Sequence, residues 1–266
     1  MIFKEFILKS KDEIRYKTEG KNINKFIFGM LLILFIGLFI FSGIKIVNYF
    51  VEGEDNKKII EEIANEITVN DDVENQDTIR YSVNFKELKE KNSDTVGFLK
   101  VNGTDIEYIV VKASNNSYYL YHNFNKNENA SGWIFADYRN KLDGTDKNIV
   151  IYGHNMRNGT MFGTLKNILN DNWQESEENR NIVFITENEA TIYRVFSVYQ
   201  IENEDYYIKT NFNEGEFENF INTIKSRSKY NFNVDINEND SILTLSTCAN
   251  NNKYRVVLHA KKINEQ

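Results

Sequence analysis

The chain has 266 residues, a formal net charge of −7, three histidines, one cysteine and no proline. Residues 1–25 contribute about +3 and Lys45 one more, which leaves about −11 on residues 51–266. So acidic a body excludes nucleic acid as a partner, because phosphate neutralisation needs clustered Lys and Arg; the single cysteine excludes an intrachain disulfide and leaves a reactive thiol or an intermolecular bridge.

Phe26 to Ile44 carries no charge and as a helix spans roughly 28 Å, close to the hydrocarbon thickness of a bilayer. A secretory signal has a shorter apolar region that ends in a small-residue cleavage site, and no A-x-A-like site follows here. The run therefore reads as a retained single-pass anchor over 26–47. The basic residues 1–25 form a cytoplasmic tail, and the C-terminal bulk lies outside the cell.

Asp55 to Ile67 reads as a juxtamembrane helix, with Ile59, Ile60, Ile63 and Ile67 at helical spacing. Residues 69–80 are polar and acidic and read as a linker. The stretch 48–83 thus joins the anchor to a folded domain over 84–266. Asn84 and Glu87 make a capping-box-like start to the short helix FKELKEKN.

After Asn92 the pattern turns to short strands separated by Asn, Gly and Asp. Strands are expected at 96–101, 106–112, around Tyr118–Leu120, and at 132–137 and 148–152. A hairpin is expected over 182–186 and 190–201, and a last pair over 241–248 and 254–261. Two helices interrupt the series. Thr160 is read as the cap of MFGTLKNILN; Asn213 and Glu216 cap a helix over 214–227 with Phe217, Phe220, Ile221 and Ile224 on one face. Many short strands and few helices point to a mainly β fold, a closed or nearly closed barrel. The apolar stripes of both helices read as core-facing.

The chemistry concentrates at two strand ends. In SILTLSTC the pleat puts Thr244, Ser246 and Cys248 on one face and Leu243, Leu245 and Thr247 on the other. A structural cysteine suits the leucine face better, whereas Cys248 stands beside hydroxyls at the end of its strand. A thiol titrates near 8.5, so a nucleophilic one needs a cationic or imidazole neighbour. His154, in IYGHNM, also ends a strand, and two strand ends of a barrel can meet at one rim. His122 and His259 have no such placement and read as structural residues. Arg255 begins the strand that follows the cysteine's turn, and its rigid fork of donors suits a developing oxyanion.

TLSTC (244–248) with Arg255 and IYGHN (151–155) resembles the active-site signature of sortases, class B in particular. FKELKEKNSDTVGFLKVNGTDIEYIVV, NNSYYLYHNF, GWIFADYRN and GHNMRNGTMFGTL resemble class B segments in the same order, so the likeness runs over residues 84–261. It implies an eight-stranded sortase-type β-barrel with a few peripheral helices, preceded by one N-terminal transmembrane helix. It also implies a cysteine transpeptidase that cleaves a surface protein's C-terminal sorting motif after Thr. The acyl group passes to Cys248 and then to an amine of the cell-wall peptide, carried by peptidoglycan or its lipid-linked precursor. On that resemblance His154 protonates the leaving amine and deprotonates the incoming one. Arg255 stabilises the oxyanion or holds the substrate, and Asn116, Leu120, Tyr152 and Ser246 match the substrate groove. The motif itself, Asn-Pro-x-Thr-like or Pro-x-Thr-Gly-like, stays open.

The chain departs from the family pattern twice. Asn250 stands where many class B members carry an acid, so that position offers no carboxylate to orient His154. Ile109 replaces a common proline. No cofactor is implied, and no Cys or His pair has metal-ligand spacing. Two other readings remain. An L,D-transpeptidase places its cysteine in a Ser-His-Gly-Cys context that Ser-Thr-Cys-Ala lacks. A non-enzymatic surface ectodomain would carry an incidental, slowly reacting thiol.

Overall fold

The computed structural model describes residues 2–70, 79–202, 204–249 and 253–263, with the backbone alone for 2–24, 248 and 249. Two compact units divide between Val51 and Glu52, within the long helix α1 (Ile2–Ala64). In the first unit Phe26, Leu34, Phe39 and their apolar neighbours are exposed. This portion of α1 is long and apolar enough to cross a membrane.

In the second unit the last turns of α1 lead to β1 (Ile67–Val69), which pairs antiparallel with β2 (Tyr81–Val83). The stretch 69–80, read as linker, thus begins on the last residue of β1 and ends just before β2, and its residues 71–78 lie outside those described. Ile59 and Ile63 are buried in the main core. Asn84 caps α2 (Phe85–Lys91) as expected, its Oδ1 accepting the Glu87 N–H at 3.3 Å.

Eight further strands close a barrel: β3 (Thr95–Val101), β4 (Ile106–Val111), β5 (Phe135–Ala136), β6 (Asn148–Tyr152), β7 (Asn181–Ile185), β8 (Ala190–Glu202), β9 (Ile242–Ala249) and β10 (Tyr254–Ile263). The order around it is β10-β8-β7-β3-β4-β5-β6-β9, closing from β9 to β10. Neighbours are antiparallel except β4–β5 and β6–β9. A parallel pair needs a long crossover; between β6 and β9 the chain runs through α3 (Asp171–Glu175), β7, β8 and α4 (Glu216–Ser226). That parallel pairing decides the site's location. The C-terminal ends of β6 and β9 fall at one rim, and antiparallel β10 brings its first residues there.

The barrel interior is filled by Phe98, Ile109, Ile151, Leu243, Leu245 and Leu258 among others. A second cluster lies under α4, where Phe217, Phe220, Ile221 and Ile224 cover Phe196, Tyr199, Ile242 and Val257. Strand β9 is therefore covered on both faces, and Thr244 and Ser246 are buried like Leu243 and Leu245 beside them.

Four expected elements differ: the juxtamembrane helix ends at Ala64 and Ile67 opens β1, and three more lie in the barrel domain. Tyr118–Leu120 is a 3-10 turn, not a strand. The Asn115 side chain accepts the N–H groups of Ser117 and Tyr118 at 2.9 Å each and curls the chain. Of residues 132–137 only Phe135–Ala136 pair as strand, because the Trp133 N–H is taken by the Tyr119 carbonyl and its indole by the Ile109 carbonyl. The helix expected from Thr160 is broken. The Thr160 hydroxyl binds Asn158 Oδ1, Met161 adopts φ +54°, and helical geometry begins only with the 3-10 stretch Leu165–Leu169 before α3. At α4 the capping residue is Gly215 at φ +74°, while the Glu216 carboxylate accepts the Asn213 N–H.

Candidate active site

At the rim shared by β6, β9 and β10 lies a cavity of about 320 Å³. His154 and Arg255 line it, as do Asn116, Leu120, Tyr152 and Ser246. Six of the seven residues singled out from sequence thus converge on one space. Cys248, the seventh, is the penultimate residue of β9 and the direct register partner of Arg255. The face that its side chain takes lies outside the described residues.

Gly153 carries the chain from β6 to His154. The sequence suggests a sharp turn there, but the need for glycine is one of space. A Cβ at 153 would collide with the Ile134 side chain and the Phe162 ring. Beyond it, the His154 carbonyl accepts the N–H groups of Met156 and Phe162, which fastens the following loop to the strand end. The His154 ring is half-buried, with Nε2 2.9 Å from the Leu120 carbonyl. A carbonyl only accepts, so this bond assigns the proton to Nε2 and leaves Nδ1 as the basic nitrogen of the neutral ring.

The other histidines stand apart. His122 stacks on Tyr118 at 4.0 Å, and its Nδ1 meets the Tyr118 carbonyl. His259 is fully buried between Tyr199 and Thr244.

Ser246 is buried, its hydroxyl 3.0 Å from that of Tyr207. Tyr207 belongs to a 3-10 turn, Tyr206–Ile208, that walls the cavity together with Glu204 and Asp205. Phe135 and Thr247 complete the lining. Of the lining residues, Phe135, Glu204, Asp205, Tyr207, Ile208 and Thr247 were not singled out from sequence. Glu204 to Ile208 form neither strand nor helix pattern, and nothing in their spacing points to a rim far away along the chain. Thr247 follows from its place beside Cys248, and Phe135 from the quoted GWIFADYRN segment. The position of Asn250 lies outside the described residues; the cavity carries exposed carboxylates instead at Glu204 and Asp205.

A family model described as "Sortase domain" matches residues 99–263. The chain belongs to the sortase family. It is 34% identical to Sortase B of Listeria monocytogenes over 252 residues, 91% of this chain and 98% of that relative. The crystal structure of Clostridium perfringens Sortase B is 40% identical with a TM-score of 0.64, covering 68% of this chain and all of that one. Bacillus anthracis sortase B is 32% identical with a TM-score of 0.70, covering 81% and 100%. The similarity is thus to class B, and the barrel is the sortase barrel. The chain is a cysteine transpeptidase of surface-protein anchoring, a family that acts on sorting-motif substrates and amine acceptors. The L,D-transpeptidase and non-enzymatic readings fall away. Family membership and the N-terminal apolar helix together indicate a membrane-anchored surface enzyme.

Proposed function

We propose that Cys248, His154 and Arg255 carry the transpeptidation. The observation behind this reading is the register opposition of Cys248 and Arg255 at the rim of a cavity that Arg255 and His154 both line.

The Cys248 thiol gives its proton to His154 and its sulfur attacks the carbonyl carbon of the sorting motif's Thr. Negative charge gathers on the carbonyl oxygen, where the Arg255 guanidinium offers fixed donors. The C–N bond breaks, the leaving amine takes the proton from His154, and a thioester remains on Cys248. An amine of the cell-wall peptide then attacks that carbonyl and loses its proton to His154; the C–S bond breaks to release the new amide, and the Cys248 thiolate takes the proton back from His154. Throughout, the Leu120 carbonyl holds the ring through Nε2, so that Nδ1 is the nitrogen that gains and loses the proton.

Asn116, Leu120, Tyr152 and Ser246 form the walls against which the motif lies. In the intact cell residues 1–25 face the cytoplasm, 26–47 span the membrane, 48–83 lead away from it, and the domain over 84–266 faces the wall. The excess of Lys and Arg before the span supports that orientation.

The deciding experiment incubates the detergent-solubilised chain with a sorting-motif peptide and analyses it by intact-protein mass spectrometry. A thioacyl adduct mapped to Cys248 and absent from Cys248→Ala is expected, with peptide turnover lost in that variant. Turnover above about 1% of wild type in a folded Cys248→Ala protein would end the cysteine mechanism.

A further inference from the structure

Among the stretches that wall the cavity are Asn116 after β4, Tyr152 at the end of β6, and the turn Tyr206–Ile208 after β8. One ion pair outside the lining touches all three. The Asp137 side chain is fully buried and accepts Arg139 Nε at 2.8 Å and Nη2 at 2.7 Å. The same carboxylate accepts Asn116 Nδ2 and the Tyr152 hydroxyl, each at 2.8 Å, and the Arg139 backbone N–H at 3.0 Å. Arg139 Nη2 also donates to the Ile208 carbonyl at 2.9 Å. Asn116 is held from its other end as well, because its Oδ1 accepts the Tyr138 N–H.

These bonds set the polarity of the groove as well as its width. Tyr152 has given its only hydroxyl hydrogen to Asp137, so its oxygen can only accept from a substrate. Asn116 has committed one N–H and keeps one to donate. Burial by itself pushes the Asp137 carboxyl up, but the bonds from Arg139, Tyr152 and Asn116 outweigh it and hold the group below the usual carboxylate range. The hub is therefore charged at neutral pH; Arg139 Nη2 bridges Asp137 and Ile208 while Nε holds the other carboxylate oxygen, a two-point grip on Asp137 that an ammonium would not reproduce.

We propose that the Asp137–Arg139 pair is a positioning device that sets the shape and hydrogen-bond polarity of the sorting-peptide groove, and so determines which motif the enzyme accepts. It touches no substrate and acts through Asn116, Tyr152 and the Ile208 backbone. The proposal rests on the transpeptidase reading of this cavity.

The test uses the full-length chain in detergent with two fluorogenic peptides, one of Asn-Pro-x-Thr type and one of Pro-x-Thr-Gly type. Arg139→Gln and Asp137→Asn should lower kcat/KM on the preferred peptide by about tenfold or more, since ångström-scale misplacement of binding groups costs up to about a hundredfold. The loss should fall mainly on KM and narrow the preference between peptides. Alkylation of Cys248 by iodoacetamide should stay near wild type, and the melting transition should remain cooperative though lowered, since each change breaks a buried ion pair. Arg139→Lys keeps the charge without the fork and should recover only part. If Asp137→Asn does not fold, Arg139→Gln decides, because that side chain is one-third exposed. A folded Arg139→Gln protein with kcat/KM and peptide preference within twofold of wild type overturns the proposal alone. Turnover that survives Cys248→Ala overturns the transpeptidase reading and this proposal with it.

Discussion

Cys248 on β9 and Arg255 on β10 are direct partners across the barrel's last antiparallel pair. The pairing fixes their positions through the Val256–Thr247 and Leu258–Leu245 ladder behind them. The Arg255 guanidinium is half-buried and donates to the Tyr254 carbonyl at 3.2 Å. An arginine held there should act on the transition state. Arg255→Ala should cost about 10²–10³-fold in kcat, the usual loss for one oxyanion donor. Arg255→Lys should restore part of it. A rise in KM at unchanged kcat, measured by steady-state kinetics, would instead make Arg255 a substrate clamp.

His154 and His122 offer a comparison within one protein. His154→Ala should reduce turnover about 10²–10⁴-fold, the range of general acid–base help. His122→Ala, which removes only a ring stacked on Tyr118, should keep substantial turnover. Peptide-cleavage rates of the two purified variants check this; a loss under tenfold at position 154 would move the proton-transfer role to another residue.

His259 should contribute to acid stability. Burial pushes its imidazole down to about 3. Its bonds agree with a neutral ring. The Thr244 hydroxyl donates to Asn148 Oδ1, so Nδ1 must donate to Thr244, and Nε2 accepts from Tyr199. The unfolded chain takes a proton near pH 6.5 that the folded chain refuses. Stability should therefore be unaffected by this group above about 6.5 and fall by about 1.4 kcal/mol per pH unit from there towards about 3. Asp137, held below its ordinary value, contributes its own loss only below about 3.8. Denaturant unfolding between about pH 4 and 6 should thus flatten in His259→Gln. An unchanged slope would show that other groups set the acid limit.

The apolar portion of α1 should fix the protein in the membrane. Full-length protein should sediment with membranes and resist alkaline carbonate, whereas a truncated chain beginning at Val51 should be recovered in the soluble fraction. A mature form cleaved just after the apolar run would contradict a retained anchor.

Much of the candidate site was legible because strand ends carry their own marks. His154 after Gly153 and Cys248 before an Asn-rich turn are visible in the chain as written, and so is the strand that returns Arg255. The reasons were not always right. Gly153 is needed for the closeness of Ile134 and Phe162, a contact between residues 19 and 9 positions away from it. Asp137 read only as the end of a strand. Its five hydrogen bonds come from Arg139, Asn116 and Tyr152, and no local pattern announces three stretches meeting at one buried carboxylate.

By itself the sequence determined what depends on period and composition: the uncharged run of the anchor, the strands of period two, the amphipathic stripe of α4, the single thiol, and the motifs that carry the family resemblance. Local hydrogen bonding overrode pattern where a side chain could compete for the backbone, as Asn115 did at Tyr118–Leu120 and Asn158 beside Thr160. Only the tertiary structure decided that β6 and β9 run parallel, because strand order follows from how faces are buried over a crossover of almost ninety residues. That pairing sets His154 and Arg255 in one cavity, draws in the turn Tyr206–Ile208 as its far wall, and buries Asp137 behind it. A buried charge must collect its donors from whatever the fold brings near, so the hub exists only once the barrel has closed.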